Sequence, residues 1–245
     1  MITETGKTIS IKNTARIAGF LYLLMIIGGM ITQIVLPDFI VSGDGAATAG
    51  KIVASEWLYR LNFVIDLAWM ACYLLTAWTL YVLLKPVGKN AALLFTLLTT
   101  VSVAILCLNA LNEFASLLLF SGAGYLTAFT ASQQQALGMF FLDLHNVGYM
   151  IAQVFFGLWL LPLGYLVYKS GLLPKALGIL LMLGCFGCLI ELIQFFLFPG
   201  WEVVTYLDFA IGAIAEISFC LWLLIMGAKE QSPASSMDRQ AAASR

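Results

Sequence analysis

Residues 140–149 gather side chains suited to chemistry: Asp143, the single histidine His145, and Asn146. A carboxylate and an imidazole can exchange a proton, hold a metal ion or orient a polar ligand. Other acids and amides stand in apolar surroundings: Asn62, Asp66, Asn109, Asn112, Glu113, Glu191, Gln194, Asp208 and Glu216. A charged side chain at membrane depth costs roughly 2.5–3.5 kcal/mol on insertion scales, so each of these needs a partner, a proton or a function. Helical phase sorts them. Asn62 and Asp66 stand at i,i+4; Asn109, Asn112 and Glu113 share a face, as do Glu191 and Gln194. Asp143, Asn146 and Gln153 share one side of their helix, whereas His145 points nearly opposite to Asp143, so these two are not expected to form one dyad.

Two readings of these groups stand side by side. Asp66, Glu113, Asp143 and Asp208 either line an outward-facing polar cavity or are wetted at the outer interface. Glu191 and Glu216 fall within hydrocarbon depth, where they carry protons or bond between helices. A metal site here would combine carboxylates with a single histidine, whereas catalytic zinc usually has two or three nitrogen or sulfur ligands. A haem with two histidine ligands is excluded. Cys185-Phe186-Gly187-Cys188 is a CxxC in an apolar run, without the helix N-terminus or cationic neighbour that activates a thiol, and reads as packing. Nucleophilic triads, phosphate loops and nucleotide fingerprints are absent, and no motif specifies a cofactor or an oligomeric state.

The elements that must position these residues follow from composition. The chain is 62% hydrophobic and 10% charged, against roughly 25% charged residues in soluble domains. Lipid must therefore be the solvent for most of its surface, and the lipid bilayer is its first partner. A net charge of -1 argues against a nucleic-acid partner. Apolar runs predict an all-α integral membrane bundle with spans at 15–36, 58–84, 91–119, 133–168, 177–198 and 204–226. Pro37 is expected to end the first span. A short interfacial helix over 46–57, capped by Asp44, separates spans one and two. The fourth helix would be about 54 Å long against a hydrocarbon core of roughly 30 Å, so its first turns project or it bends near Gly148 or Pro162. The domain plan is a cytoplasmic tail over 1–14, a six-span membrane domain over 15–227 and a disordered cytoplasmic tail over 228–245.

Ten of the twelve basic residues fall in the two tails and in the turns after spans two and four. The positive-inside rule then places both termini in the cytoplasm. Counting residues from those basic anchors gives depths of about 28 Å for Asp66, 36 Å for Glu113 and His145, 39 Å for Asp143, 32 Å for Asp208, 24 Å for Glu191 and 20 Å for Glu216. The polar groups crowd toward the outer leaflet, and the cytoplasmic half carries no acid.

Several segments point to a family. They are Ala15-Arg16-Ile17-Ala18-Gly19-Phe20-Leu21-Tyr22, Gly43-Asp44-Gly45-Ala46-Ala47-Thr48-Ala49, Glu56-Trp57-Leu58-Tyr59-Arg60-Leu61, Leu84-Lys85-Pro86-Val87, Phe141-Leu142-Asp143-Leu144-His145 and Tyr168-Lys169-Ser170-Gly171-Leu172-Leu173-Pro174. Together they resemble a bacterial multi-pass membrane family described as a domain of unknown function, DUF4386. The resemblance spans about 15–226 and implies a six-span protein of the inner membrane; it brings no catalytic residue with it. Three functions are expected from the residues. The first is binding or transport of a small polar solute or lipid head group, proton-linked through Glu191 and Glu216. The second is a membrane enzyme, lipid-modifying or metal-dependent, using Asp66, Glu113, Asp143 and His145. The third is a structural partner subunit whose polar groups only lock helices.

Overall fold

The computed structural model describes residues 10–122, 124–198 and 200–229, apart from the side chains of 202–209. The tails over 1–9 and 230–245, and the side chain of Asp208, lie outside the described residues. The described residues form seven α-helices: α1 (Ile11–Phe39), α2 (Gly45–Ala54), α3 (Glu56–Leu84), α4 (Lys89–Phe120), α5 (Ala131–Ser170), α6 (Lys175–Leu197) and α7 (Glu202–Ile225). One 3-10 turn, Gly124–Ala128, precedes α5, and no strand occurs among the described residues.

Local chemistry sets the helix ends. The Asp44 carboxylate accepts the Ala47 N–H at 2.9 Å and starts α2. Thr130 and Gln133 form a reciprocal capping box at the start of α5. Gly171, at φ 67°, closes α5 in the left-handed conformation. Pro37 does not end α1; the helix runs on to Phe39. A proline one turn from a C-terminus removes a single helical bond, and the Ile40 N–H finds the Pro37 carbonyl at 3.0 Å. Pro162 likewise lies inside α5, which continues to Ser170.

The long helices pack in sequence as α1–α3–α4–α5–α6–α7, and α7 returns to α1, closing a ring. Aromatic side chains fill its centre. Trp159 of α5 stacks on Tyr22 of α1 at 6.0 Å and meets Tyr73 of α3 edge-on at 5.1 Å, with Phe95 and Phe156 around it. Glycines allow close approach at the seams, as expected where helices associate in lipid. A Cβ on Gly164 or on Gly178 would stand 2.6 Å from the other's carbonyl oxygen, so α5 and α6 touch backbone to backbone.

Among the described residues, five helices, α1 and α3 to α6, are long and apolar enough to cross a membrane, and α7 adds the shorter apolar stretch Ala210–Ile225. Large apolar side chains, among them Trp78, Leu108, Phe186 and Ile214, face outward. A surface of this kind needs lipid as its solvent, and the chain is a multi-pass membrane protein. At 40 residues, α5 is about 60 Å long. Its first turns extend past its neighbours and seat α2, where Gly45 abuts Gln135 and Met139. Apart from Lys51 and Arg60, the described basic residues, Lys12, Arg16, Lys85, Lys89, Lys169, Lys175 and Lys229, stand at the opposite end. Arg16 donates to the Ile225 carbonyl at 3.3 Å, the Lys229 N–H bonds Leu172 at 3.0 Å, and Gly88 abuts Leu166. These ties bring the start of α1, the α3–α4 and α5–α6 turns and the end of α7 together.

Candidate functional site

At the end of the bundle away from the basic turns, α3, α4 and α5 bring a polar tier together. Asn62 and Asp66, one turn apart on α3, face Glu113 on α4, and all three are buried, with exposures of 2%, 7% and 1%. The Asn62 amide donates to Glu113 Oε1 at 3.4 Å. The Trp69 indole N–H donates to Asp66 Oδ1 at 2.7 Å. On the next interface, the Asn109 amide donates to the His145 carbonyl at 2.8 Å, and His145 Nδ1 lies 3.3 Å from the Asn109 carbonyl. Asn112 donates to Asn109 Oδ1 at 3.0 Å, as their shared face predicts. Asp66 lies within electrostatic range of both Glu113 and His145. Three buried acceptors in this tier have no hydrogen-bond donor: Asn62 Oδ1, Asp66 Oδ2 and Glu113 Oε2.

An apolar layer separates the tier from the outer surface. Phe39, Ile52, Tyr59, Leu117 and Leu142 pack into one cluster beneath α2, which touches α1, α3, α4 and α5. Tyr59 also donates to the Glu113 carbonyl at 3.1 Å and meets Ser116 at 2.8 Å. The residues assigned to one outward-facing cavity from the sequence therefore fall in two separate places. Asn62, Asp66, Asn109 and Glu113 are buried beneath this layer. Asp143 is exposed and lines a separate cleft of about 580 Å³ between the α1–α2 loop and α5, with Ser42, Gly45 and Gln135. Asn146 is exposed, and His145 is half-buried against Asn109. The opposed phase of Asp143 and His145 is thus met in the structure.

Glu191 and Glu216 take separate partners. Gln153 of α5 donates to Glu191 Oε2 at 3.4 Å, linking α5 to α6. The Tyr22 hydroxyl of α1 donates to Glu216 Oε2 at 3.0 Å, linking α1 to α7 beside the central aromatics. Glu216 is closer to the basic end than the residue count implies. Helix α7 stops at Ile225, Gly227 adopts φ 69°, and the chain turns back so that Lys229 meets Leu172. The last four residues add no rise, and Glu216 lies about 14 Å from the helix end. The basic half of the bundle accordingly does carry an acid.

Trp69 and Tyr22 carry no polar signal in the sequence; an aromatic within an apolar run reads as core. Spacing alone could have flagged Trp69, one turn after Asp66 on the same face. Among the described residues, no group of three His, Cys, Asp or Glu side chains is placed to hold a metal ion. Cys185 and Cys188 are buried, and Cys188 packs against Gly157 of α5.

The chain is 36% identical over 150 residues to an uncharacterised protein of Archaeoglobus fulgidus, a match covering 61% of this chain and 74% of that one. No solved structure matches it. The family described as domain of unknown function DUF4386 matches over residues 17–227, spanning all six long helices from α1 to the end of α7, and the chain belongs to that family.

Proposed function

We propose that the protein crosses the inner membrane six times with both termini in the cytoplasm, and that it binds and transports a small polar solute at the tier between α3, α4 and α5. The observation carrying this reading is one-sidedness. Asn62, Asp66, Asn109, Glu113 and His145 converge at the end away from the basic turns, on three adjacent helices. Burying so many polar groups in lipid is costly unless they serve a purpose. The ring supplies six seams around a filled aromatic centre, and α2 covers the tier's outer end. The test is a thermal-shift panel of amines, amino acids, sugars and lipid head groups on the purified chain, beside Asn109→Ala and His145→Ala. At least one compound is expected to stabilise the wild type and to lose its effect in both variants. A panel with no such compound contradicts the reading.

A second reading has an observation of its own. Polar pairs link several neighbouring helices: Asn62–Glu113 for α3–α4, Asn109–His145 for α4–α5, Gln153–Glu191 for α5–α6 and Tyr22–Glu216 for α1–α7. A protein whose polar groups only lock its helices would distribute them in this way. The enzyme reading, lipid-modifying or metal-dependent, has no comparable support.

A further inference from the structure

We propose that the occupant of the α3–α4 tier is a small monovalent cation, a sodium-sized ion or a proton, held between Asp66 and Glu113 with Asn62 Oδ1 as the third oxygen. This deepens the reading of the tier as a binding site and rests on it. The argument is an account of donors and acceptors. The Asn62 amide nitrogen and the Trp69 indole N–H each engage one oxygen of Glu113 and Asp66. What remains unpartnered, Asn62 Oδ1, Asp66 Oδ2 and Glu113 Oε2, consists of acceptors alone. Among the described residues no lysine or arginine answers them: Arg60 pairs with Glu56 at 2.7 Å in an exposed bridge, and Lys51 donates to the Asp38 carbonyl; His145 lies within electrostatic range of Asp66 but sets its Nδ1 against the Asn109 carbonyl. An anion would add like charge. A neutral hydroxyl brings acceptors of its own with each donor. A sodium-sized ion can contact all three oxygens, whereas a proton turns one carboxylate oxygen into a donor to a second; either offsets the repulsion of two carboxylates held in a low dielectric. Three oxygen ligands favour a hard ion, and the apolar layer beneath α2 favours one that sheds water more readily than Mg²⁺ does.

Other titratable groups feel these carboxyls: His145 and Tyr149 from α5, Cys107 from α4 and Tyr59 from α3. From α1, the Thr32 hydroxyl lies beside Asp66; its one proton is directed at the Gly29 carbonyl at 3.0 Å, so toward Asp66 it presents a further oxygen.

The test uses the full chain in nanodiscs, melted at constant ionic strength while choline chloride is replaced by sodium chloride at pH 8. A second series lowers the pH in choline alone. If sodium is the occupant, it raises the wild-type melting midpoint by about 5–10 °C at a hundredfold excess over its dissociation constant. If the proton is the occupant, sodium is without effect and acidification produces the rise. Either response is expected to vanish in Asp66→Asn/Glu113→Gln and to need about tenfold more ligand in Asn62→Ala. Should the double variant not fold, the Glu113→Gln and Asn62→Ala singles carry the same comparison. A wild type that responds to neither cation, or a response that persists in the variants, overturns the proposal. If a neutral compound from the solute panel stabilises the wild type while cations do not, the cation assignment falls and the binding site stands. If nothing stabilises the wild type and the variants melt below it throughout, the tier is a structural lock and both readings fall.

Discussion

Near the basic turns, Gly164 and Gly178 let α5 and α6 meet backbone to backbone, and deeper in the ring Trp159 is enclosed by Tyr22, Tyr73, Phe95 and Phe156. At the other end, α3 and α4 meet through Asn62, Asp66 and Glu113 and leave three buried oxygens without donors. The first region is assembled from surface complementarity, where each atom gains dispersion contacts that lipid would supply less densely. The second gives up more of that gain: it buries three unpartnered acceptors, two of them on carboxyl groups, where the centre leaves only the Tyr73 hydroxyl and the Trp159 indole N–H without partners among the described residues. The proposed binding role requires that stability reside mainly in the aromatic centre, so that the frame does not depend on the polar tier. A protein selected for stability alone would have filled both ends in the same way.

Substitutions sharpen or break this contrast. The largest effect is expected at the centre: Trp159→Ala opens a cavity in a fully buried position and should destabilise the protein by about 3–5 kcal/mol. Denaturant melts in mixed micelles measure it, and a loss below about 1 kcal/mol would mean that the centre is not where stability resides. A smaller effect is expected at Tyr22→Phe, which removes the hydroxyl bonded to Glu216 while keeping the ring stacked on Trp159. Interhelical hydrogen bonds in membranes average about 0.6 kcal/mol and reach about 1.7 kcal/mol, so a loss in that range is expected. The same melts report it, and an unchanged midpoint would show that the α1–α7 seam closes without this bond.

Much of the fold was legible because lipid imposes a simple code: apolar runs of spanning length, broken by basic turns. The cap at Asp44 marked the start of α2; Thr130, with Gln133 three residues on, carries the same kind of signal for α5, which starts at Ala131, two residues before the expected span. Pro37 misled because a proline so close to a helix end costs only one bond. The closure of α7 onto α1 depends on contacts between residues about 200 positions apart, such as Cys220 to the Gly19 carbonyl, and no periodicity encodes them. Within the site, spacing placed Asn62 with Asp66 and Asn109 with Asn112, and it separated Asp143 from His145. It could not reveal that α2 and its apolar layer separate the residues assigned to one cavity, because that requires knowing where the interfacial helix docks. The depth of Glu216 was misjudged for a related reason: a residue count assumes that the helix continues, and Gly227 turns the chain back.

The central claim is that the polar tier is a binding site carried by the fold and not a support for it. The most direct test is the unfolding free energy of Glu113→Gln against wild type, in sodium-free choline buffer at pH 8 or above. Glutamine keeps the oxygen that accepts from the Asn62 amide and replaces unpartnered Oε2 with an NH₂ group able to donate to Asn62 Oδ1. The account predicts that the variant is as stable as the unliganded wild type, or more stable by about 1 kcal/mol. A loss of about 1 kcal/mol or more would contradict it and assign Glu113 to holding the bundle together.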